Sequence, residues 1–597
     1  MRDESSHDKP EPNNHETIEE EAILLRNYDD GLPHRPSSEA RLLDIFTVGD
    51  HRQHKSWHLY SKLRARPIIE NAARVFPSLL KDFIRYLLPS FMQTRKRTEP
   101  TKPPHPTAYL DGLRGVAALL VAISHFLAQF APELYEGYGS GPKKNAASNT
   151  FILQLPLLRI ITAGQFMVVL FYIMSGCVLS IKGLKQARNN QQAGFTKTLT
   201  SSVFRRWVRL HLPVIAAMAI SMLISRAQGW RRLSRNWLDP PQSFKSHRRS
   251  PAELGLKELA SELLLSIEPR ESYKSNSGGP VRLVWYHQMA PRMETMTGQL
   301  RHWLHGVVAV CDPFLVGRIG RAAGEYNAGG VLWTIPSEWL GSMVVFLVLL
   351  GMGWTPGVMR PGLIMLVAIY AHLTSKWDIA SFLSGMLIAE LMLYRQEKNA
   401  RTHNTNVTLP VLQVEVGRAT SHGLNEATKS AFRHKSQEAF MVAMFVAGIY
   451  LGCLPYSYPG SSLGFRTLWK SIPSWYPSPK KFYLCIGSVF VMISLTYSRP
   501  LQRFFSTSPI RYLGRISFSL YLLHSQIIRS IGIPIMSGCM QFVGGGNTLL
   551  GYIAGFTLGF SILASISIWA SDLFCRAIDE QSVELARKLA ERFLVTK

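Results

Sequence analysis

Residues 109–131 read YLDGLRGVAALLVAISHFLAQFA, an apolar run with charge inside it. From Val116 onward the run is apolar enough to enter a bilayer, yet Arg114 sits near one end and His125 near the middle. Eleven residues separate them, about three helical turns. Both side chains therefore share a face, about 16 Å apart along the axis. Asp111 joins that face one turn before Arg114. A lipid-facing helix does not keep such a stripe, because ionisable groups in hydrocarbon are costly. The stripe is expected to form the wall of a buried polar site.

The surrounding chain fits a membrane protein. Its 597 residues are 47% hydrophobic, in long blocks rather than evenly spread. That favours a polytopic membrane protein over several soluble domains. The formal charge is +26, while residues 1–30 hold ten acids against three bases. The positive excess therefore lies beyond the head, as expected for cytoplasmic loops against anionic headgroups. No interleaving of aromatic and basic residues and no zinc spacing point to nucleic acid. The six cysteines, Cys177, Cys311, Cys453, Cys485, Cys539 and Cys575, form no C-x-x-C pair and read as small buried hydrophobes. The acidic, polar start lacks the pattern of a cleaved signal peptide.

The composition sets four segments. Residues 1–75 form an acidic, polar head expected to be disordered and cytoplasmic. Residues 76–106 hold FPSLLKDFIRYLLPSFM, expected as an amphipathic helix on the membrane surface, and then a Pro- and Lys/Arg-rich connector. Residues 107–575 form the membrane domain, with a long polar loop at 227–329. Residues 576–597 end the chain in a short amphipathic helix.

About ten transmembrane helices are expected, and the fold class is all-α. The spans are 110–131, 164–183, 207–226, 330–352, 356–375, 378–395, 437–456, 481–499, 510–532 and 548–574. With both termini in the cytoplasm, the basic connections 184–206 and 396–436 face inward, and 533–547, without Lys or Arg, faces outward. The long basic loop 227–329 would face outward, but long loops follow the charge rule poorly. His302 to Val316 reads as a re-entrant segment or part of that loop. The sequon at Asn406 falls on a cytoplasmic connection and is expected to be unmodified.

Five separated motifs carry a resemblance. LDGLRG with His125 beyond it resembles the opening of the membrane acyltransferase-3 family. FYIMSG is similar to the family's F-x-x-SG segment, here Phe171, Ser175 and Gly176, with three residues rather than two between Phe171 and Ser175. FRRWVRLHLP resembles its Arg-rich helix entry. LWTIPSEWLGSMV is similar to its S-x-E variant, although Ser337 and Glu338 are adjacent here. LGRISFSLYLLHSQII resembles its late S-x-x-x-Y-x-x-H signature. The likeness covers residues 107–575, with the motifs in family order. It implies an integral-membrane enzyme that moves acetyl or longer acyl groups from acyl-CoA onto hydroxyls of sugars, lipids or small molecules. The length of the polar loop and the Pro-rich acidic head look like the fungal branch, whose members often act in secondary metabolism.

The candidate residues carry competing readings. His125, a side chain that accepts a proton near neutral pH, suits the base that activates a hydroxyl, and otherwise it is a structural histidine. Arg114 binds the phosphates of a CoA donor, pairs with Asp111 or Glu338, or snorkels at the interface. Arg205 and Arg209, at i,i+4, with Arg206 alongside, make a phosphate clamp or an ordinary positive-inside anchor. Glu338, a carboxylate inside an apolar helix, needs a partner or a proton; it orients His125, binds substrate or forms an ion pair. Ser517, Tyr521 and His524 share one helical face and line the acceptor site, or sit at the outer interface. Ser175–Gly176 reads as a packing site. Glu390 to Arg395 reads as a helix end. No metal signature is present, and no metal is expected. Membrane lipids surround the domain on this reading, and oligomeric state is left open. The competing class is a polytopic membrane transporter using the same His, Arg and Glu residues, although no inverted repeat is visible.

Overall fold

The computed structural model describes residues 81–93, 107–141, 149–227, 293–312, 331–407, 421–544 and 548–594. The chain divides into two units, 1–83 and 84–597. The acidic head, the connector and most of the loop 227–329 lie outside the described residues, as does Thr408 of the sequon.

Among the described residues the second unit is all helix, with one isolated bridge between Glu136 and Ser457. In hydrocarbon every backbone polar group must be satisfied within its own segment, and Leu, Ile, Val and Ala runs meet that demand as helices. The main helices are α1 (Ala108–Phe130), α2 (Gly164–Arg188), α3 (Gln192–Arg226), α4 (Met296–Cys311), α5 (Thr334–Met352) and α6 (Arg360–Leu373). They continue as α7 (Trp377–Val407), α8 (Ser421–Gly452), α9 (Pro479–Tyr497), α10 (Ser508–Phe542), α11 (Leu549–Phe574) and α12 (Glu580–Phe593).

Each expected span holds a helix, and seven helices are long and apolar enough to cross a membrane. The other three differ for visible reasons. α6 is short, the first half of α8 is charged, and α10 carries Arg511, Arg515 and Arg529. Large apolar side chains point outward, among them Leu347, Leu366, Tyr370, Phe440 and Leu550. A helix bundle seated in lipid has this apolar exterior. The expected re-entrant segment is α4, a helix capped by Thr295, whose hydroxyl accepts the Gly298 N–H at 3.0 Å.

Two glycine crossings set the packing. At the first, α1 meets α10. A Cβ on Gly115 would lie 2.3 Å from Gly514 N, so only glycine permits this approach. His125 and His524 each lie ten residues beyond their crossing glycine, and their rings meet with centroids 5.2 Å apart. The two helices therefore run parallel and in register. At the second crossing, a Cβ on Gly176 would stand 2.0 Å from the Phe382 carbonyl oxygen, which fuses α2 to α7. Tyr172 stacks on Phe382 and Trp377 beside it. The packing role read for the Ser-Gly pair thus falls on Gly176.

Glu390 is no helix end but the centre of an ion cluster. It is fully buried, with Arg188 Nη2 at 2.9 Å and Arg360 Nη1 at 3.5 Å, and Arg188 also reaches Glu397 at 2.7 Å. A charge so placed needs partners to stay ionised. At the far end of the chain, residues 84–93 are held against α11. Arg576 donates to the Tyr86 and Leu88 carbonyls at 2.8 and 3.1 Å, and the Ser90 N–H donates to Asp572 at 2.9 Å. Residues 81–87 are helical, and Ile84 there, like Phe91 and Met92 in the turns that follow, stays exposed.

Candidate active site

Two chambers meet inside the bundle. The first is a cavity of about 130 Å³ lined by Arg114 of α1, Arg206 and Arg209 of α3, Glu338 of α5, Arg515 and Ser517 of α10, and Asp579. Its lining carries four arginines against two carboxylates, a net charge of +2. The second is a cavity of about 450 Å³ lined by His125, Ser124, Arg159, Trp333, Lys480, Lys481, Ser525 and Arg529, among others. Val168 and Tyr521 line both, so the chambers adjoin at the Tyr521 ring.

In the charged chamber, Arg206 and Glu338 form an ion pair, each with about 15% of its side chain exposed (15% and 16%). Ser175 donates its hydroxyl to Glu338 Oε1 at 2.7 Å, and Arg206 Nε donates to Ser342 Oγ at 3.1 Å. Glu338 therefore partners Arg206 rather than Arg114. It lines the charged chamber, while His125 lines the other. Arg114 stands 3.9 Å from Asp111, a loose half-exposed pair. Arg205 does not line either chamber; its Nε donates to the Ser201 carbonyl of its own helix at 3.3 Å. The helical wheel explains this. The chamber faces the arc between Arg206 and Arg209, and Arg205 lies beyond its edge. The i,i+3 pair is thus the one in place, not the expected i,i+4 pair.

Tyr521 is fixed between the chambers. Its hydroxyl donates to the Val331 carbonyl at 2.9 Å and lies 2.8 Å from Thr334 Oγ1, and Phe171 packs edge-on against its ring. Ser517 bonds the Gly514 carbonyl at 2.8 Å and lines the charged chamber. His524 lines neither large chamber. It is fully buried behind His125, with Nδ1 2.8 Å from the Leu520 carbonyl. The three residues sharing one face of α10 are thus spread over three environments, because the helix rises about 10 Å from Ser517 to His524.

The histidine chamber has a basic floor that motif reading missed. Arg159, only 2% exposed, donates to the Cys453 carbonyl and to the Tyr135 carbonyl at 3.0 Å. Burial lowers its guanidinium to about 10, so it stays charged at neutral pH. Lys481 donates to Gln165 Oε1 and lies over the Trp377 ring, 4.3 Å from its centroid. Lys480 lies 3.7 Å from the Tyr456 ring centroid. The only sequence signal was the Lys-Lys pair opening a span, which reads as an ordinary flank. Among the described residues no group of three His, Cys, Asp or Glu side chains is placed to hold a metal ion.

The site is thus an internal histidine chamber beside an arginine-lined chamber within a helical membrane bundle. A family model described as an acyltransferase domain matches residues 107–572. The chain belongs to this acyltransferase-3 family and is an O-acyltransferase. Among curated proteins it is similar to an O-acetyltransferase, PaAT-1, of Phomopsis amygdali, 24% identical over 538 residues, covering 87% of this chain and 91% of that one. The acyltransferase clz18 of Cochliobolus lunatus is 22% identical over 495 residues, covering 79% and 93%. The acyltransferase R4 of a Phoma species is 21% identical over 511 residues, covering 82% and 96%. No solved structure matches.

Proposed function

We propose that the protein transfers an acyl group, most simply acetyl, from acyl-CoA to a hydroxyl of a small-molecule, sugar or lipid acceptor. The observation that carries this reading is the junction at Tyr521. An arginine-lined chamber adjoins a roomier chamber containing His125, in the order a donor with a charged end and a thioester end would need. Arg114, Arg206 and Arg209 hold the donor's phosphates, as guanidinium groups suit phosphate oxygens. The pantetheine arm passes Tyr521, and the thioester carbonyl comes to His125. The run from Arg114 to His125, about 16 Å of helix, matches an extended arm of that kind.

In the histidine chamber the acceptor hydroxyl gives its proton to His125 while its oxygen attacks the thioester carbonyl carbon. The new C–O bond forms, the C–S bond breaks, and the CoA sulfur leaves as thiolate and takes up a proton. His524, packed against His125, limits the ring's rotation. Glu338 holds Arg206 in place and tempers the charge of the donor chamber.

The O-acetyltransferase named among the relatives supports acetyl as the group moved. The loop charges support cytoplasmic termini and about ten crossings, with the donor chamber facing the cytoplasm. The parallel course of α1 and α10, the first and ninth spans, agrees with that alternation. An endomembrane or plasma-membrane setting follows, with membrane lipid around the bundle.

Incubating membranes that contain the full chain with radiolabelled acetyl-CoA and candidate alcohols tests the reading. Label should appear on the alcohol, and His125→Ala should abolish it. Vesicles that instead accumulate the alcohol unmodified, with no label on it, would make the protein a transporter.

A further inference from the structure

The charge of the histidine chamber bears on what enters it. Four basic side chains, Arg159, Lys480, Lys481 and Arg529, line it, and no Asp or Glu is among its lining residues. The first three bond only neutral groups. Arg159 is held by two backbone carbonyls, Lys481 by a side-chain amide and an aromatic ring, and Lys480 by an aromatic ring. Asp378 is the acidic group nearest in influence to Lys481, and its Oδ1 accepts the Ile379 N–H at 2.9 Å from outside the lining. Elsewhere in this bundle Arg188 and Arg360 are matched by the buried carboxylate of Glu390. Cations held in place by neutral groups at a cavity wall leave their charge open to an anion. The remaining wall is apolar, with Phe166, Trp333, Leu454, Leu484 and Ile528.

We infer that the acceptor is an amphipathic hydroxy compound that carries an anionic group, carboxylate or phosphate, on an otherwise apolar body. This rests on the acyltransferase reading and specifies its acceptor. Lys480, Lys481 and Arg159 take the anion in the histidine chamber, whose lining excludes the donor's arginines. Seating the anion there leaves the hydroxyl to face His125. The donor's own phosphates stay in the other chamber, beyond Tyr521.

The test uses metabolites of a deletion strain. Mass spectrometry should find a pair that differs by one acetyl group, with the lighter member accumulating in the deletion. That member should be retained on an anion exchanger at neutral pH. Diazomethane methylation with phosphatase release separates a carboxylic acid from a phosphate. With the purified full chain, methylating the anion should raise the acceptor KM at least tenfold with little change in kcat. A Lys480→Gln/Lys481→Gln variant should shrink that preference for free acid over ester at least fivefold. A neutral or cationic pair, or equal KM for acid and ester, overturns the inference and leaves acyl transfer standing. Absence of any pair that differs by an acyl group removes the proposed acyl-CoA reaction, and this inference with it.

Discussion

The Arg206–Glu338 pair separates an electrostatic role from a structural one, because its two halves should act on the donor with opposite sign. Arg206→Gln lowers the net charge of the donor-chamber lining from +2 to +1, and Glu338→Gln raises it to +3. A phosphate about 8 Å from one altered charge, at an effective dielectric constant of about 20, feels a change of about 2 kcal/mol. That is about thirtyfold in affinity at 1.4 kcal/mol per tenfold. Equilibrium binding of a non-transferable acyl-CoA thioether to the full chain in nanodiscs measures it. Arg206→Gln should weaken binding by about that factor, and Glu338→Gln should strengthen it or leave it level. Raising the ionic strength should narrow both differences. Both variants break the same partly buried pair, so both should lose similar stability, about 1–3 kcal/mol. If both variants weaken donor binding in proportion to their loss of stability, the pair is a structural clasp and the charged chamber is not the donor site.

Other expectations follow from the packing and the buried ion cluster. Gly176→Ala puts a methyl 2.0 Å from the Phe382 oxygen, so α2 and α7 must part by about 1.4 Å to reach ordinary contact. Overpacking of this kind costs about 1–3 kcal/mol, visible as lost monodisperse protein in detergent, whereas Gly351→Ala, with open space around it, should be silent. Glu390→Ala leaves Arg188 and Arg360 without their buried carboxylate and should lower thermal stability by about 3–5 kcal/mol, more than any single exposed charge change on α12. Tyr521→Phe removes the hydroxyl's contacts with Val331 and Thr334 while Thr334 still bonds Val331, so transfer should fall only about fivefold. A loss beyond a hundredfold would give the phenol a direct chemical role.

What could be read in advance followed from local pattern. The apolar blocks showed where helices lie, and LDGLRG showed which helix carries the polar stripe. The two motif glycines at 115 and 514 then proved to be one crossing, but nothing local announces that residues four hundred positions apart share a contact. For the same reason Glu338 found Arg206 and not Arg114, and Glu390 proved to be a buried hub. Arg159 and the Lys480–Lys481 pair escaped because each, seen alone, is an unremarkable base beside a span. Their meaning lies in what surrounds them in space. Arg205 was counted with its neighbours because a charge run does not say which of its members faces inward.

On this account His125 activates the acceptor hydroxyl in the chamber that adjoins the donor site at Tyr521. Acyl transfer and donor binding by His125→Gln, in the full chain reconstituted in nanodiscs, test it together. General-base loss should cut transfer by about 10²–10⁴ while acyl-CoA binding and the melting temperature stay near the unsubstituted values. Transfer within tenfold of the unsubstituted protein, with the fold intact, would contradict it.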